Sequence, residues 1–318
     1  MSKASILITA YNRYKNFKRL FKLIKFYKTK IYISIDGPKN AKDKIEQAKI
    51  LKLIKSEKSN KINYRLLSKN LGCQKAVFSA LNWFFLHEKR GIILEDDILP
   101  NKAFFIFCNK LLAKYDKNKK IFSISGYNPL NKNNIKEDYF YSKLFFSWGW
   151  ATWKDRWLIA KKFIPNNRWK NNLKSKNWQL FLNDNLKKRY FSRIYKLILS
   201  NKIDSWAFLW LLFGVVNKSN FIIPKHNLVK NIGTQTYGAN YVPSNFEYSN
   251  LKTKNFKLKN FPKKIIYNKN FDLRLFYYNF RPKSRLYPWR VIFLIRSLFL
   301  DPKFFFTKVS ISFKKMFK

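Results

Sequence analysis

Residues 91–97 read Gly-Ile-Ile-Leu-Glu-Asp-Asp, an apolar run that ends in three consecutive acids. A short, wholly apolar run of this kind is typical of a strand that is buried on both faces of a parallel sheet. Adjacent carboxylates repel one another and are costly to desolvate, and the whole chain has only 17 acidic residues. The acidic triplet therefore favours a site for a hard divalent cation, with a solvated turn or a helix N-cap as the alternative.

Apolar strands alternate with amphipathic helices on both sides of this run. The pattern predicts strands over 5–9, 31–35, 62–67 and 121–125 as well as 91–94, with helices between them. Such alternation predicts an α/β fold whose mostly parallel central sheet is flanked by helices. Ligands of these sheets bind outside the carboxyl ends of the strands, so we expect the polar residues that follow the strands to meet at one edge. We call this edge the carboxyl rim, which comprises residues 11–13, 36–37, 70–72 and 95–97.

The composition excludes several classes of protein. Of the 318 residues 47% are hydrophobic, which is too many for a wholly disordered chain despite the net charge of +49. Cys73 and Cys108 cannot build a disulfide framework, and no Cys/His cluster has the spacing of a zinc site. The start of the sequence lacks the pattern of a secretory signal, and no run of about 18 uncharged apolar residues occurs. We therefore expect a cytoplasmic protein.

The basic residues allow two kinds of partner. Basicity is spread along the whole chain, and no nucleic-acid recognition motif accompanies it, so we expect no specific nucleic acid. The tail over 286–318 is aromatic and basic, which is typical of segments that lie on anionic membranes. The alternative is a C-terminal helix that docks on the catalytic domain. Membrane docking would make the protein peripheral on the inner face of the cytoplasmic membrane.

Four motifs carry a resemblance to a known family. They are Ile-Thr-Ala-Tyr-Asn-Arg (8–13), Ser-Ile-Asp-Gly (34–37), Asn-Leu-Gly-Cys (70–73) and Ile-Ile-Leu-Glu-Asp-Asp-Ile-Leu-Pro (92–100). With them the sequence resembles the GT-A-fold, nucleotide-sugar-dependent glycosyltransferases, in particular a bacterial branch related to N-acetylglucosaminyltransferase I. The resemblance covers about residues 1–235. It implies a nucleotide-sugar-binding half over 1–128, an acceptor-side half over 129–243 and a basic C-terminal extension over 244–318.

The resemblance implies roles for the three acids of the triplet. Asp97 would ligate a metal ion, Mn²⁺ or Mg²⁺, that bridges the diphosphate of the donor. Asp96 and Glu95 would face the ribose and the donor sugar.

Three further residues would bind the nucleotide. The resemblance implies that Asp36 accepts a hydrogen bond from the base, typically the N3–H of uracil. Arg13 would lie beside the base or the phosphates, and Lys75 would reach a phosphate oxygen. In a chain this basic, the alternative for Arg13 and Lys75 is an ordinary solvated surface charge.

An inverting enzyme of this class also needs a general base for the acceptor hydroxyl. Asp204, in Ile-Asp-Ser-Trp-Ala-Phe (203–208), is similar in place to the base of the related enzymes; its alternative is a helix N-cap. Two aromatic or basic features stay open at this point. Trp148-Gly149-Trp150 would stack on a sugar or pack in the core, and His226 would complete a metal site or lie in a loop. The other acids of the middle region are Glu137, Asp138, Asp155 and Asp184.

Together these features predict a metal-dependent, inverting glycosyltransferase. It would move a hexosyl or N-acetylhexosaminyl group from a UDP-sugar to a glycan or lipid-linked glycan in surface polysaccharide or lipopolysaccharide synthesis. One alternative is a sugar-nucleotide nucleotidyltransferase, which should have a Gly/Arg/Lys-rich phosphate loop after the first strand; residues 11–16 contain no glycine. The other alternative is a basic nucleic-acid-binding or membrane-binding protein without catalysis.

Overall fold

The computed structural model describes residues 3–57, 59–130, 135–233, 251–282 and 295. Within these residues the chain forms a mixed α/β fold in which helices flank a mainly parallel eight-stranded sheet, which confirms the predicted fold class. The strands are β1 (Ser5–Ala10), β2 (Ile31–Ile35), β3 (Ile62–Leu66), β4 (Arg90–Glu95), β5 (Ile98–Pro100), β6 (Ile121–Ser125), β7 (Tyr139–Ser142), β8 (Trp150–Trp153), β9 (Asn220–Pro224) and β10 (Val229–Asn231). The helices are α1 (Tyr14–Ile24), α2 (Ala41–Lys55), α3 (Cys73–His87), α4 (Lys102–Lys114), α5 (Lys154–Lys161), α6 (Trp169–Asn172), α7 (Lys176–Phe181), α8 (Asn185–Leu199), α9 (Trp206–Val216) and α10 (Lys269–Phe280), and a 3₁₀ turn covers Pro165–Asn167.

The strands of the large sheet lie in the order β3-β2-β1-β4-β8-β6-β9-β7. β1 runs parallel to β2 and β4, β2 to β3, and β6 to β9. The register places Thr9 beside Glu95 and Ala10 beside Ile35. The residues that follow β1, β2 and β4 therefore emerge side by side. A second, two-stranded sheet pairs β5 with β10 in antiparallel orientation.

The sequence pattern did not predict β8, which runs antiparallel between β4 and β6. Its residues are all buried, and Trp150 stacks on Trp206 with the ring centroids 5.2 Å apart. Trp150 is therefore a core residue and has no face open to a sugar. Trp148 is half-buried and packs against Tyr127.

Amphipathic helices cover the parallel half of the sheet. α1 buries Phe17, Leu20, Phe21 and Ile24, the three- and four-residue spacing that its sequence shows. α2 differs, because the buried stripe of this helix begins with two polar residues. The stripe consists of Asp43, Gln47, Ile50 and Ile54.

The described residues fall into two compact units. Unit 1 contains those up to 181 and those of 204–272, and it includes both sheets. Unit 2 contains 182–203, 273–282 and 295; in it, Tyr190 and Phe191 of α8 pack against Phe276 and Phe280. The predicted boundary near 244 lies outside the described residues, and the three-part division stays a prediction.

No helix of the described ranges is both long enough and apolar enough to cross a membrane. The predicted membrane-binding tail, 286–318, lies outside the described residues except for Ile295, which is exposed.

Candidate functional site

The acidic triplet lies at the carboxyl rim, where Arg13 from the β1–α1 turn meets it. The guanidinium donates to Asp97 Oδ2 from Nη1 at 2.7 Å and to Asp96 Oδ1 from Nη2. Both carboxylates are buried, with Asp96 only 1% exposed. The backbone N–H of Tyr11 also donates to Asp96 Oδ2, at 3.3 Å. The resemblance implies that Arg13 lies beside the base or the phosphates of the donor, which stays a prediction; in the structure Arg13 pairs with Asp96 and Asp97.

Burial dominates the electrostatics of the triplet. Burial raises the pKa of Glu95, and the charges of Asp97 and Asp96 raise it further against the opposing effect of Arg13. Burial also raises the pKa of Asp96, and Arg13 opposes this increase. Burial lowers the pKa of Arg13, but Asp96 and Asp97 outweigh it, so that this pKa lies above its ordinary value. Ionisation of Glu95 and Asp96 therefore costs free energy at this site, and the charge of Arg13 offsets only part of that cost.

Asp97 retains one oxygen that can take a cation. Oδ2 is held by Arg13, whereas Oδ1 is buried and has no hydrogen-bond partner. A buried carboxylate oxygen without a donor is costly, and a hard divalent cation would satisfy it. In the part of the chain that the structure describes, no three His, Cys, Asp or Glu side chains form a metal cluster.

Ile232 and Gly233, the two residues that follow β10, lie against Asp97. Pairing of β10 with β5 brings Ile232 close enough to donate its N–H to the carbonyl of Asp97 at 2.9 Å. Gly233 follows, and a Cβ at this position would overlap the Asp97 carboxylate and lie 3.0 Å from Nη1 of Arg13. Only a residue without a side chain fits there while Arg13 and Asp97 stay paired.

Asp36, the predicted partner of the base, organises the neighbouring loop. Its carboxylate accepts hydrogen bonds from the N–H groups of Gly37, Leu71 and Gly72 and from the side-chain amide of Asn70, at 2.9–3.2 Å. Four donors fill the lone-pair directions of a carboxylate. Base binding by Asp36 stays a prediction, and it requires that one of these donors, such as the Asn70 side chain, be exchanged for the base.

Asp204 also reaches the rim, although it lies far along the chain. Its Oδ1 accepts the N–H of Gln74 at 2.9 Å and thereby caps α3, a helix other than its own. Oδ2 lies on the side of Gly72, where a Cβ would come within 2.6 Å of it. Asp204 therefore caps a helix, which was the alternative to catalysis, but the capped helix is α3 and not α9. Its predicted role as general base stays a prediction. Lys75, on the first turn of α3, is exposed.

Cys73 lies between these groups. The residue is exposed, but the surrounding protein desolvates its thiol, and the charges of Glu95 and Asp204 add to this effect. Together they raise the pKa of Cys73 to about 12. The thiol therefore lies within reach of the charges of Glu95, at the end of β4, and of Asp204, before α9.

Other residues named from the sequence serve elsewhere. Asp138 accepts the N–H groups of Lys259 and Asn260, at 2.6 and 2.7 Å. Asp155 pairs with Arg156, and Asp184 caps α8. The remaining two are Glu137, which is exposed, and His226, whose ring packs edge-on against Phe256.

Sequence reasoning missed Asp43, which is buried beside the rim. Its carboxylate accepts hydrogen bonds from Tyr11, Asn12 and Lys39. Burial alone would raise the pKa of Asp43, but the hydrogen bonds from Tyr11, Asn12 and the Lys39 backbone outweigh it and lower the pKa. A carboxylate in the buried stripe of an amphipathic helix was the signal that could have identified it.

Comparisons with known proteins give only distant similarities. No known family matches the chain, and no curated protein matches it. Solved structures similar to it include HddC from Yersinia pseudotuberculosis, with 13% identity and a TM-score of 0.30 over 52% of this chain and 81% of that chain. Another is mannose-1-phosphate geranyltransferase from Thermus thermophilus, with 9% identity and a TM-score of 0.38 over 73% and 77%.

A third similar structure is the apo form of the glycosyltransferase GlyE from Streptococcus pneumoniae. Its identity is 10% and its TM-score 0.33, and the match covers 95% of this chain but only 64% of that chain. At these scores the similarity carries no conclusion about chemistry, which rests on the residues of the rim.

Proposed function

We propose that the chain is a metal-dependent glycosyltransferase of the GT-A type that uses a nucleotide-diphosphate sugar, with UDP as the nucleotide. One observation carries the proposal: at the carboxyl rim, Arg13 pairs with two buried carboxylates and leaves Oδ1 of Asp97 buried without a partner. Such an oxygen suits a cation that arrives with its substrate. The carboxyl ends of parallel strands are also where ligands of this fold class bind.

In this proposal, different residues of the rim bind different parts of the donor. Asp97 would hold Mn²⁺ or Mg²⁺, which when bound neutralises the diphosphate and improves it as a leaving group. Arg13 holds the second oxygen of Asp97 and so fixes the direction of the first. Asp96 and Glu95 would contact the ribose and the donor sugar, Asp36 the base, and Lys75 a phosphate.

Asp204 is the proposed general base of an inverting transfer. Its Oδ1 accepts the N–H of Gln74, which fixes the carboxylate at the rim. In the proposed reaction, Oδ2 takes the proton of the acceptor hydroxyl, and the oxygen of that hydroxyl attacks the anomeric carbon of the donor. The bond from that carbon to the diphosphate breaks, and the sugar changes configuration.

The proposed acceptor is a glycan or lipid-linked glycan of surface polysaccharide or lipopolysaccharide synthesis, and the transferred group is a hexosyl or N-acetylhexosaminyl unit. The net charge of +49 and the basic, aromatic tail support docking on an anionic membrane. A variant that ends at Ser284 should lose sedimentation with anionic vesicles, whereas retained sedimentation would contradict the membrane role of the tail.

Calorimetric titration of UDP with and without Mn²⁺ tests the donor site. We expect metal-dependent binding to the wild type and its loss in Asp97→Asn. The matched control is Asp116→Asn. The side chain of Asp116 is more than half exposed, and it makes only a long contact of 3.9 Å with Arg90, which does not belong to the carboxyl rim. Equal binding by Asp97→Asn and the wild type would contradict the proposal. Release of pyrophosphate from a nucleoside triphosphate and a sugar 1-phosphate would instead establish a nucleotidyltransferase.

A further inference from the structure

The turn that carries Arg13 is fixed at two acidic centres. On one side, the hydroxyl of Tyr11 donates to Asp43 Oδ2 at 2.5 Å, and the side-chain amide of Asn12 donates to Asp43 Oδ1 at 2.6 Å. On the other side, the N–H of Tyr11 and the guanidinium of Arg13 donate to Asp96. Three consecutive residues thus span the gap between Asp43 and the acidic triplet.

Asp43 is well placed to hold such a turn. It is 4% exposed and lies in the first turn of α2, where Asn40 caps the helix through the N–H of Asp43. The N–H of Lys39 gives its carboxylate a further donor, at 2.9 Å. A buried carboxylate with several donors has one stable orientation, because rotation would leave a donor unpaired.

The same helix reaches the second loop of the rim. Gln47 lies one turn after Asp43 on the buried face of α2, and its side-chain amide donates to the carbonyl of Asp36 at 2.8 Å. α2 therefore contacts both the loop that carries Arg13 and the loop that carries Asp36. Both residues are polar and buried, and their hydrogen bonds to these two loops satisfy their side chains.

We propose that Asp43 is a positioning residue of the donor site, which holds Tyr11 and Asn12 so that Arg13 can pair with Asp96 and Asp97. This inference rests on the proposed function for its consequence, donor binding. The structural part of it, the fixing of the Arg13 turn, stands on the hydrogen bonds alone.

Two variants of the protein test the inference. Asp43→Asn replaces one of the two accepting carboxylate oxygens by an NH₂ group, which can only donate. Tyr11→Phe removes only the hydroxyl that donates to Asp43. The second variant keeps the test valid if the first one fails to fold. Tyr277→Phe is the matched control, because the Tyr277 hydroxyl donates to Asp184 at 3.0–3.1 Å, a carboxylate that caps α8 and not a helix of the rim. All three variants are compared by amide hydrogen exchange and by titration with UDP and Mn²⁺.

Exchange reports on the turn without any ligand. We expect faster exchange in the peptide that contains residues 9–17 for Asp43→Asn and Tyr11→Phe, and an unchanged rate there for Tyr277→Phe. We also expect each of the first two variants to bind UDP with Mn²⁺ roughly tenfold more weakly, the size of effect that one lost hydrogen bond to a charged group gives.

An Arg13→Gln background separates positioning from general stability. If Asp43 acts through Arg13, Tyr11→Phe should weaken UDP binding in the wild-type background and have no further effect in Arg13→Gln. Additive losses in the two backgrounds would overturn the inference. So would unchanged exchange in residues 9–17, or faster exchange with unchanged UDP affinity.

The outcomes also distinguish this inference from the proposed function. If the wild type binds no UDP with Mn²⁺, the proposed function fails, and the exchange measurement alone decides whether Asp43 holds the turn. If the wild type binds UDP and Tyr11→Phe behaves as Tyr277→Phe does in both measurements, the inference about Asp43 fails while the proposed function stands.

Discussion

Arg13 binds Asp97 through Oδ2 at 2.7 Å and leaves Oδ1 of the same carboxylate buried without a hydrogen-bond partner. We propose two roles for this pair. The ion pair would stabilise the acidic triplet before any ligand arrives, and the remaining oxygen would bind the proposed cation. Removal of either partner should affect both folding and binding, but in different proportions.

Arg13→Gln should destabilise the free protein by about 2 kcal/mol, because two buried carboxylates lose their counter-charge. The value lies below that of a fully buried pair, since the Arg13 side chain is 37% exposed. Urea denaturation without divalent ions measures this. Arg90→Gln, which loses only a 3.9 Å contact with exposed Asp116, should change the free energy of unfolding by less than about 0.5 kcal/mol. Equal losses in the two variants would contradict a special role for Arg13.

Gly233→Ala should abolish metal-dependent UDP binding and also lower the melting temperature, because it disturbs the pair of Arg13 with buried Asp97. The added Cβ would overlap the Asp97 carboxylate and force it away from Arg13, while Gly233 has no side chain of its own in the core. Lys230→Ala is the control, because Lys230 is exposed in the neighbouring strand β10. Calorimetry on both variants decides the matter: binding by Gly233→Ala that is as tight as that of the wild type would show that Gly233 does not shape the site.

The acidic triplet should make stability depend on pH. The pKa of Glu95 in the folded protein lies above its ordinary value of 4.5, chiefly because of burial. The folded state therefore binds the proton more tightly than the unfolded state does. The stability that this proton provides is complete below pH 4.5 and is lost as the pH rises through the raised pKa.

Glu95→Gln should accordingly flatten the fall in the free energy of unfolding above pH 4.5. Denaturant titrations at several pH values, without divalent ions, measure the slope. Glu46→Gln serves as the control, because Glu46 lies on the outer part of α2 in a pair with exposed Lys49. The prediction fails if the two variants give the same pH profile as the wild type.

Local sequence patterns were sufficient for the parallel half of the fold. β1, β2 and β4 contain short apolar runs, and helices such as α1 show regular apolar spacing, so that both could be predicted to within a residue or two. β8 could not be predicted, because its sequence, Trp-Ala-Thr-Trp, has no alternation of apolar and polar residues. Its position depends on antiparallel pairing with β4 and β6. Tertiary pairing, not local propensity, decides such a strand.

The same distinction holds for the site. The triplet and Asp36 follow strands directly, and the carboxyl-end rule brought them to one edge. That rule says nothing about which group binds which, so the pairing of Arg13 with Asp96 and Asp97 and the saturation of Asp36 became visible only in the structure. Asp204 reaches the rim across 130 residues of sequence to cap α3, a contact that no local pattern encodes.

Cys73 provides a chemical test of how the rim is assembled. The surrounding protein desolvates the thiol of Cys73, and with the charges of Glu95 and Asp204 this raises its pKa to about 12. Little thiolate is therefore present at about pH 8, and reaction with iodoacetamide should be slow. Asp204→Asn removes one of the negative charges and keeps a side chain that can cap α3. We expect this variant to react several-fold faster than the wild type at Cys73, measured by mass spectrometry of the modified peptide. Cys108 is fully buried and should stay unmodified, and Asp116→Asn should leave the rate at Cys73 unchanged. A rate unaffected by Asp204→Asn would show that Asp204 does not lie at the rim in solution, which would remove the basis for its proposed role as general base.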